Sequence, residues 1–228
     1  MMAARQLPLP LSQHGGRRKG AGRKPKGPRP LVSHKPRAQF EKPLPVHVTL
    51  RVGEHVWNLR SGRSYRRLKD CLAAAAGRFG LRVIAFSIQG NHLHLIVEPN
   101  DTEALSRGMQ GLCIRIAKRL NAMMRSSGRV FADHYHSRLL RSPSETVNAI
   151  SYVLDNHRHH HGEGGVDRYS SAALDDVERA KLLSRPVGWL LRVGWRRARW
   201  DVRPKEPHAG SRRGAVSRPD TVGRSPGR

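Results

Sequence analysis

The sequence predicts an α+β domain whose elements run β, α, β, β, α, then a strand or irregular return, then α. Three observations carry this. Pro45–Val52 alternates apolar and polar residues with β-branched side chains, the period of a half-buried strand, and stops at Gly53. Leu81–Ile88 and Leu93–Val97 are strand-length apolar runs separated by Gln89-Gly90-Asn91-His92, which reads as a tight hairpin. From Leu105 to Met123 the apolar positions Leu105, Met109, Leu112, Ile116, Leu120 and Met123 step by three and four, the period of a long helix.

The remaining elements follow in chain order. Leu68, Leu72, Ala75, Ala76 and Phe79 form an apolar stripe that predicts a helix over Ser64–Phe79, with Gly80 just past its end. Asn100-x-x-Glu103 resembles a capping box for the long helix, which should end by Gly128. Val130–Arg141 has no clean period, because Tyr135, His136 and Arg138 interrupt it, so it reads as a strand or an irregular return. Ser142-Pro143-Ser144-Glu145 places Ser at N-cap, Pro at N1 and Glu at N3, and opens a helix expected to reach about Asn156. No repeat at solenoid periods is visible.

Charge then narrows the partner. The chain of 228 residues has 43 Lys and Arg against 17 Asp and Glu, a formal charge of +26, with 37% hydrophobic residues. That hydrophobic fraction supports a core, and that charge fits a polyanion. Residues 1–40 hold ten basic residues and no acid, broken by Gly and Pro, and residues 201–228 hold seven basic against three acidic. Both read as disordered basic tails. Between them, residues 43–200 still carry 25 basic against 13 acidic residues, so the folded part is itself basic. The expected division is a tail at 1–42, a folded domain at 43–165, a Trp/Arg-rich extension packed on it at 166–200, and a tail at 201–228. Two cysteines, Cys71 and Cys113, supply neither a disulfide framework nor a CxxC metal pair. No apolar run of about 18 residues exists, and Leu7-Pro8-Leu9-Pro10-Leu11 is too short and proline-broken for a signal peptide. The basic residues do not line one amphipathic helix, so a membrane partner is not expected and a cytoplasmic, DNA-associated protein is.

Chemistry concentrates in two places. In Asn91-His92-Leu93-His94-Leu95-Ile96-Val97, strand alternation puts His92 and His94 on one face and Leu93, Leu95 and Val97 on the other. Two imidazoles so placed can bind one divalent cation and leave positions open for phosphate oxygen, although HxH alone is more often two surface histidines. In the helix after Ser142, with about 100° per residue and Ile150 at 0°, Val147 and Leu154 fall near about 60° and 40°. Asn148, Tyr152 and Asn156 fall near about 160°, 200° and 240°, which puts Tyr152 away from the expected core stripe with Asn156 one turn on. A phenol, with a pKa of about 10, attacks poorly unless its anion is stabilised, so tyrosine near two histidines suggests phosphoryl transfer.

The segments Gln89–Glu98, Gly128–Arg138 and Ile150–Asn156 together resemble the single-tyrosine transposases of the HUH (His-hydrophobe-His) endonuclease superfamily, particularly the REP-associated tyrosine transposases, over about residues 45–160. The resemblance implies a ferredoxin-like α/β sandwich with a central antiparallel sheet and flanking helices. It implies Tyr152 as nucleophile, and His92, His94 and Asn156 as ligands of a divalent metal, Mg²⁺ or Mn²⁺. The reaction implied is cutting and rejoining of single-stranded DNA beside hairpins through a 5′-phosphotyrosine, with a homodimer as one arrangement found among relatives. Tyr135 is the rival nucleophile but has no ligand-type residue four positions on. Where many relatives have an Asn-Pro-Val-Arg-like stretch after the tyrosine, this chain has Asn156-His157-Arg158-His159-His160-His161.

DNA contacts are expected from two basic groups. Arg23, Lys24, Lys26 and Arg29, set among Gly and Pro, resemble an AT-hook, with a sequence-indifferent basic tail as the simpler reading. Arg115, Lys118 and Arg119 offer a basic surface on the long helix, and Arg125 adds to it. Trp189, Trp195 and Trp200 lie among arginines and can stack on bases or cover a core edge. Three alternatives stand beside the transposase reading. They are a replication-initiator or relaxase-like nickase, a catalytically silent nucleic-acid-binding protein, and a zinc hydrolase using Glu98, which shares the histidine face.

Overall fold

A computed structural model of the chain describes residues 38–155 and 165–198. Four strands, β1 (Val46–Arg51), β2 (Leu81–Ile88), β3 (His92–Pro99) and β4 (His136–Leu139), form an antiparallel sheet in the order β2-β3-β1-β4. Helices α1 (Gly62–Ala75) and α2 (Thr102–Met124) cover one face, and α3 (Pro143–Leu154) lies on the other. The expected α+β sandwich with its histidine strand at the centre is the observed architecture.

Alternation in β1 and β3 sends Val46, Val48, Leu50, Leu93, Leu95 and Val97 into the main core. There they meet Leu68 and Leu72 of α1 and Leu105, Met109, Leu112, Ile116 and Leu120 of α2, the helical stripes the periodicity requires. β2 needs one extra device. Leu81 and Val83 point into this core, yet so do Phe86 and Ile88, which the two-residue period would send the other way. A register shift between Val83 and Ala85 inserts one residue and restores the alternation, leaving Ala85 and Ser87 on the α3 face. At Gly108 a Cβ would lie 2.5 Å from Leu81 Cβ, so the missing side chain lets α2 approach the sheet.

Helix boundaries differ from expectation for local reasons. α1 begins earlier, because the Ser61 hydroxyl accepts the Ser64 N–H at 3.2 Å. It ends earlier because Gly77 takes φ +69, after which Arg78–Gly80 makes a separate 3₁₀ turn. The cap of α2 is Asp101 rather than Asn100, with its carboxylate accepting the Ala104 N–H at 2.7 Å. The left-handed residue ending α2 is Arg125, φ +53, not Gly128. The segment after α2 is both things the sequence allowed, since Phe131 makes an isolated bridge to Val52 before β4 pairs with β1. α3 starts as the Ser-Pro-x-Glu signal requires, its Ser142 hydroxyl accepting the Glu145 N–H. The Glu145 carboxylate in turn accepts the Arg141 N–H at 2.8 Å, and that bond chiefly holds its pKa below the usual value.

The C-terminal part of the described chain wraps the free edge of β2. Ile88 N–H donates to Tyr169 O, Phe86 N–H to Ser171 Oγ, and Ser184 N–H to Val83 O. Arg60 grips the buried Asp167 through two bonds of 2.9 and 2.8 Å while lying over the Tyr169 ring. The turns Trp189–Arg192 and Gly194–Arg197 pack beside α3, where Leu191 joins Ala85, Ile96, Leu140 and Val153 in a second, smaller core. Among the described residues no helix is long and apolar enough to cross a membrane.

Candidate active site

The face of β3 opposite the main core carries His92 and His94, and the sheet register decides what surrounds them. The Cα partner of His94 on β1 is Thr49 and on β2 is Ser87, while His92 pairs with Arg51. One pair further along β1, His47 lies on the same face. His94 is only 5% exposed. Its Nδ1 lies 3.2 Å from His47 Nε2 and 3.2 Å from Thr49 Oγ1, so this nitrogen is oriented by β1 and any cation would meet Nε2. His92 Nδ1 lies 2.8 Å from Asn91 Oδ1, which likewise turns its Nε2 outward. The two rings stand edge to face with centroids 4.8 Å apart.

α3 brings Tyr152 over this cluster. Its ring meets His94 edge-on at 5.3 Å between centroids and His47 at 5.8 Å, and the residue remains 40% exposed. The packed stripe of α3 is Thr146, Ala149, Ile150, Val153 and Leu154; of the expected Val147-Ile150-Leu154 stripe Ile150 and Leu154 pack as expected, and Val147 is replaced by residues on the other side of Ile150. That rotation moves Tyr152 from the far side of the helix to its flank, where the phenol is both held and reachable. Tyr135 packs against the main core, on the other side of the sheet.

Burial chiefly, and then the positive charges of His136 and Arg138, push the His47 imidazole down to about 4. Near pH 7 the residue facing His94 is therefore neutral. Burial raises the Cys71 thiol to about 11 and Cys113 to about 12, leaving neither disposed to act as a thiolate.

Not every expected residue is brought here. Asn156 and the His157–His161 run lie outside the described residues, as do Arg23, Lys24, Lys26, Arg29 and Trp200. Arg115, Lys118 and Arg119 sit on α2, behind the sheet from Tyr152; Lys118 and Arg119 are exposed and Arg115 half-buried. Glu98 shares the histidine face by alternation but is fully buried, its carboxylate accepting from Arg82 Nε, Val187 N–H and Gly188 N–H. That corrects the hydrolase alternative, because a carboxylate with three donors has no position left as a water-activating base. Sequence reasoning missed His47 and Thr49. Their signal was the polar half of the β1 alternation, which acquires meaning only once β1 is known to pair with β3.

The donor set tests what this face can hold. Among the described residues no three His, Cys, Asp or Glu side chains converge in a closed metal cage. Two neighbouring imidazoles, each with its Nδ1 engaged, fit a divalent cation that keeps open positions for oxygen ligands.

Residues 44–154 match the family model of the IS200-like transposases. A solved REP-associated tyrosine transposase bound to a REP hairpin is similar over 69% of this chain and 100% of that one, at 13% identity and a TM-score of 0.52, and shares its fold. A putative transposase from Deinococcus radiodurans R1 aligns over 49% of this chain and 90% of that one, at 16% identity and a TM-score of 0.38. No curated protein matches the sequence.

Proposed function

We propose that this protein is a transposase of the IS200-like kind, which cuts and rejoins single-stranded DNA beside hairpins through a covalent link to Tyr152. The observation that carries the reading is the half-exposed Tyr152 ring edge-on to His94 on one sheet face. The phenolic oxygen attacks phosphorus, giving up its proton to solvent. The P–O3′ bond breaks, leaving a 5′-phosphotyrosine and a 3′-oxygen that takes a proton. Attack by a 3′-hydroxyl reverses the step, so the bond energy is kept and no nucleotide cofactor is needed. His92 and His94, with Asn156, would hold a divalent cation, Mg²⁺ or Mn²⁺, whose chemistry is to draw charge from the scissile phosphate.

The chain's other residues position these groups. His47 and Thr49 fix the His94 ring, and exposed Arg51, the strand partner of His92, is placed to meet DNA phosphate. Arg115, Lys118 and Arg119 would take the flanking duplex or hairpin behind the sheet, and Arg23, Lys24, Lys26 and Arg29 would add salt-sensitive phosphate affinity. We assign catalysis to residues 43–165 and a supporting role to 166–200, and we place the protein in the cytoplasm on DNA, as a monomer or homodimer.

Incubation with labelled single-stranded hairpin pools and Mg²⁺ or Mn²⁺ should give a protein–DNA adduct on a denaturing gel. EDTA should remove it, as should His92→Ala with His94→Ala. An adduct that persists in EDTA would refute the metal role, and DNA binding without any adduct would favour the catalytically silent reading. His47→Ala should slow adduct formation by about 10–100-fold, the usual scale for losing a residue that orients a ligand. An unchanged rate would remove His47 from the machinery.

A further inference from the structure

Far from the tyrosine, at the start of β2, Phe79 stands in a conformation that its residue type resists. Its backbone is left-handed, φ +55 and ψ +25, which is rare for a bulky side chain, and its ring is 48% exposed. The residue spends about half its surface in water. The ring rests on α2 where Gly111 leaves room: a Cβ there would come within 3.1 Å of Phe79 Cε2. Two guanidinium groups flank it, Arg78 and Arg107, each 5.7 Å from the ring centroid. Beside the ring opens a cavity of about 250 Å³ walled by Gly80, Asn100, Asp101, Glu103 and Arg107.

We infer that Phe79 and this cavity form a second DNA subsite, which stacks one unpaired nucleobase on the Phe79 ring. An aromatic face between two arginines is how single strands are held, the ring taking the base and the guanidinium groups the adjoining phosphates. The cavity is smaller than the roughly 300–1,000 Å³ of drug-sized sites, which suits a single base. Its polar wall selects among bases. The Glu103 carboxylate, whose Oε1 already accepts from Arg107 Nη1 at 3.2 Å, and the Asn100 amide line the cavity, and their oxygens would accept from the exocyclic amino group of cytosine or adenine, which thymine lacks. Leu81 pairs with Pro99 whereas His92 begins β3, so the subsite lies at the opposite end of the sheet from the histidines, roughly 20 Å away at the strand rise. A strand engaged there is held at a distance from the cleavage point. The inference rests on the DNA-binding reading but not on the tyrosine chemistry.

Phe79→Gly separates function from folding, because glycine adopts φ +55 without steric strain, which offsets its chain-entropy cost and the lost contact of the ring with α2. The full-length variant should melt within a few degrees of the parent. Its affinity for a short fluorescent oligodeoxycytidylate, read by anisotropy, should fall by about 5–100-fold, the scale of one lost stacking contact. Phe79→Trp should retain it, blunt duplex binding should be unchanged, and the parent should prefer oligodeoxycytidylate to oligodeoxythymidylate. Equal single-strand affinity in Phe79→Gly and parent would overturn the subsite, and an absent cytosine preference would overturn the role given to Glu103 and Asn100. Adduct formation by the same preparations keeps the two readings apart. Phe79-dependent binding without adducts would sink only the tyrosine mechanism, and adducts with Phe79-independent binding would sink only the subsite.

Discussion

Tyr152→Phe abolishes covalent attachment to DNA and leaves binding of the uncleaved strand intact; this is the largest functional effect expected of any single substitution here. Phenyl keeps the ring contacts with His94 and His47 and loses only the oxygen that would bond to phosphorus. The residue is 40% exposed, so stability should change by no more than about 0.5 kcal/mol. Adduct yield should fall at least about 10³-fold, the scale of removing a nucleophile that works as a unit with its surroundings. Tyr135→Phe is the control. Its ring packs against the main core, so its hydroxyl should be dispensable for attachment. An adduct retained in Tyr152→Phe and lost in Tyr135→Phe would transfer the chemistry to the other tyrosine.

Much of this arrangement was legible before any coordinates, and the reasons are physical. Strand alternation alone separates His92 and His94 from Leu93, Leu95 and Val97, and the Ser142-Pro143-Ser144-Glu145 signal alone starts α3 at the right residue. Both are local, decided by neighbours within a few positions. What sequence did not show is non-local. The bulge between Val83 and Ala85 gives no sign of itself, since it falls in the apolar stretch Val83-Ile84-Ala85-Phe86, each residue of which is hydrophobic enough for either face. The rotation of α3 follows from burying Thr146, whose hydroxyl accounts for itself by donating to the Ser142 carbonyl at 2.9 Å and so behaves as core despite being polar. His47 was invisible as a site residue because its partner lies 47 positions away on a different strand. Glu98 was misleading for the same reason. Its position in the alternation is right for the site, but the chain returns 89 residues later to occupy it.

That return makes Glu98→Ala the substitution with the largest expected cost to the fold. The Glu98 carboxylate is fully buried and accepts Arg82 Nε at 2.9 Å, Val187 N–H at 2.7 Å and Gly188 N–H at 2.9 Å. Gly188 is held so close that a Cβ there would come within 2.7 Å of Glu98 Oε1. Arg82 is itself mostly buried, and its Nη2 has no hydrogen-bond partner among the described residues, so Glu98 is what compensates the guanidinium charge. Removing the carboxylate strands a buried cation and two backbone donors, at a cost of about 3–5 kcal/mol. Against a total stability of about 5–15 kcal/mol this is a large fraction, and the melting temperature should fall by roughly 10 °C. The loss should also be directional. Val187 and Gly188 lead into the turn carrying Leu191, which packs with Val153 of α3 next to Tyr152. Protease cleavage should therefore appear first around residues 184–198, and adduct formation should drop although Glu98 lies outside the proposed chemistry. Replacing both partners, Glu98→Leu with Arg82→Met, removes the stranded charge and should recover part of the stability without restoring the tether to Val187 and Gly188. If Glu98→Ala instead melted and digested like the parent while adduct formation vanished, the carboxylate would belong to the reaction and the hydrolase-like reading would regain its base.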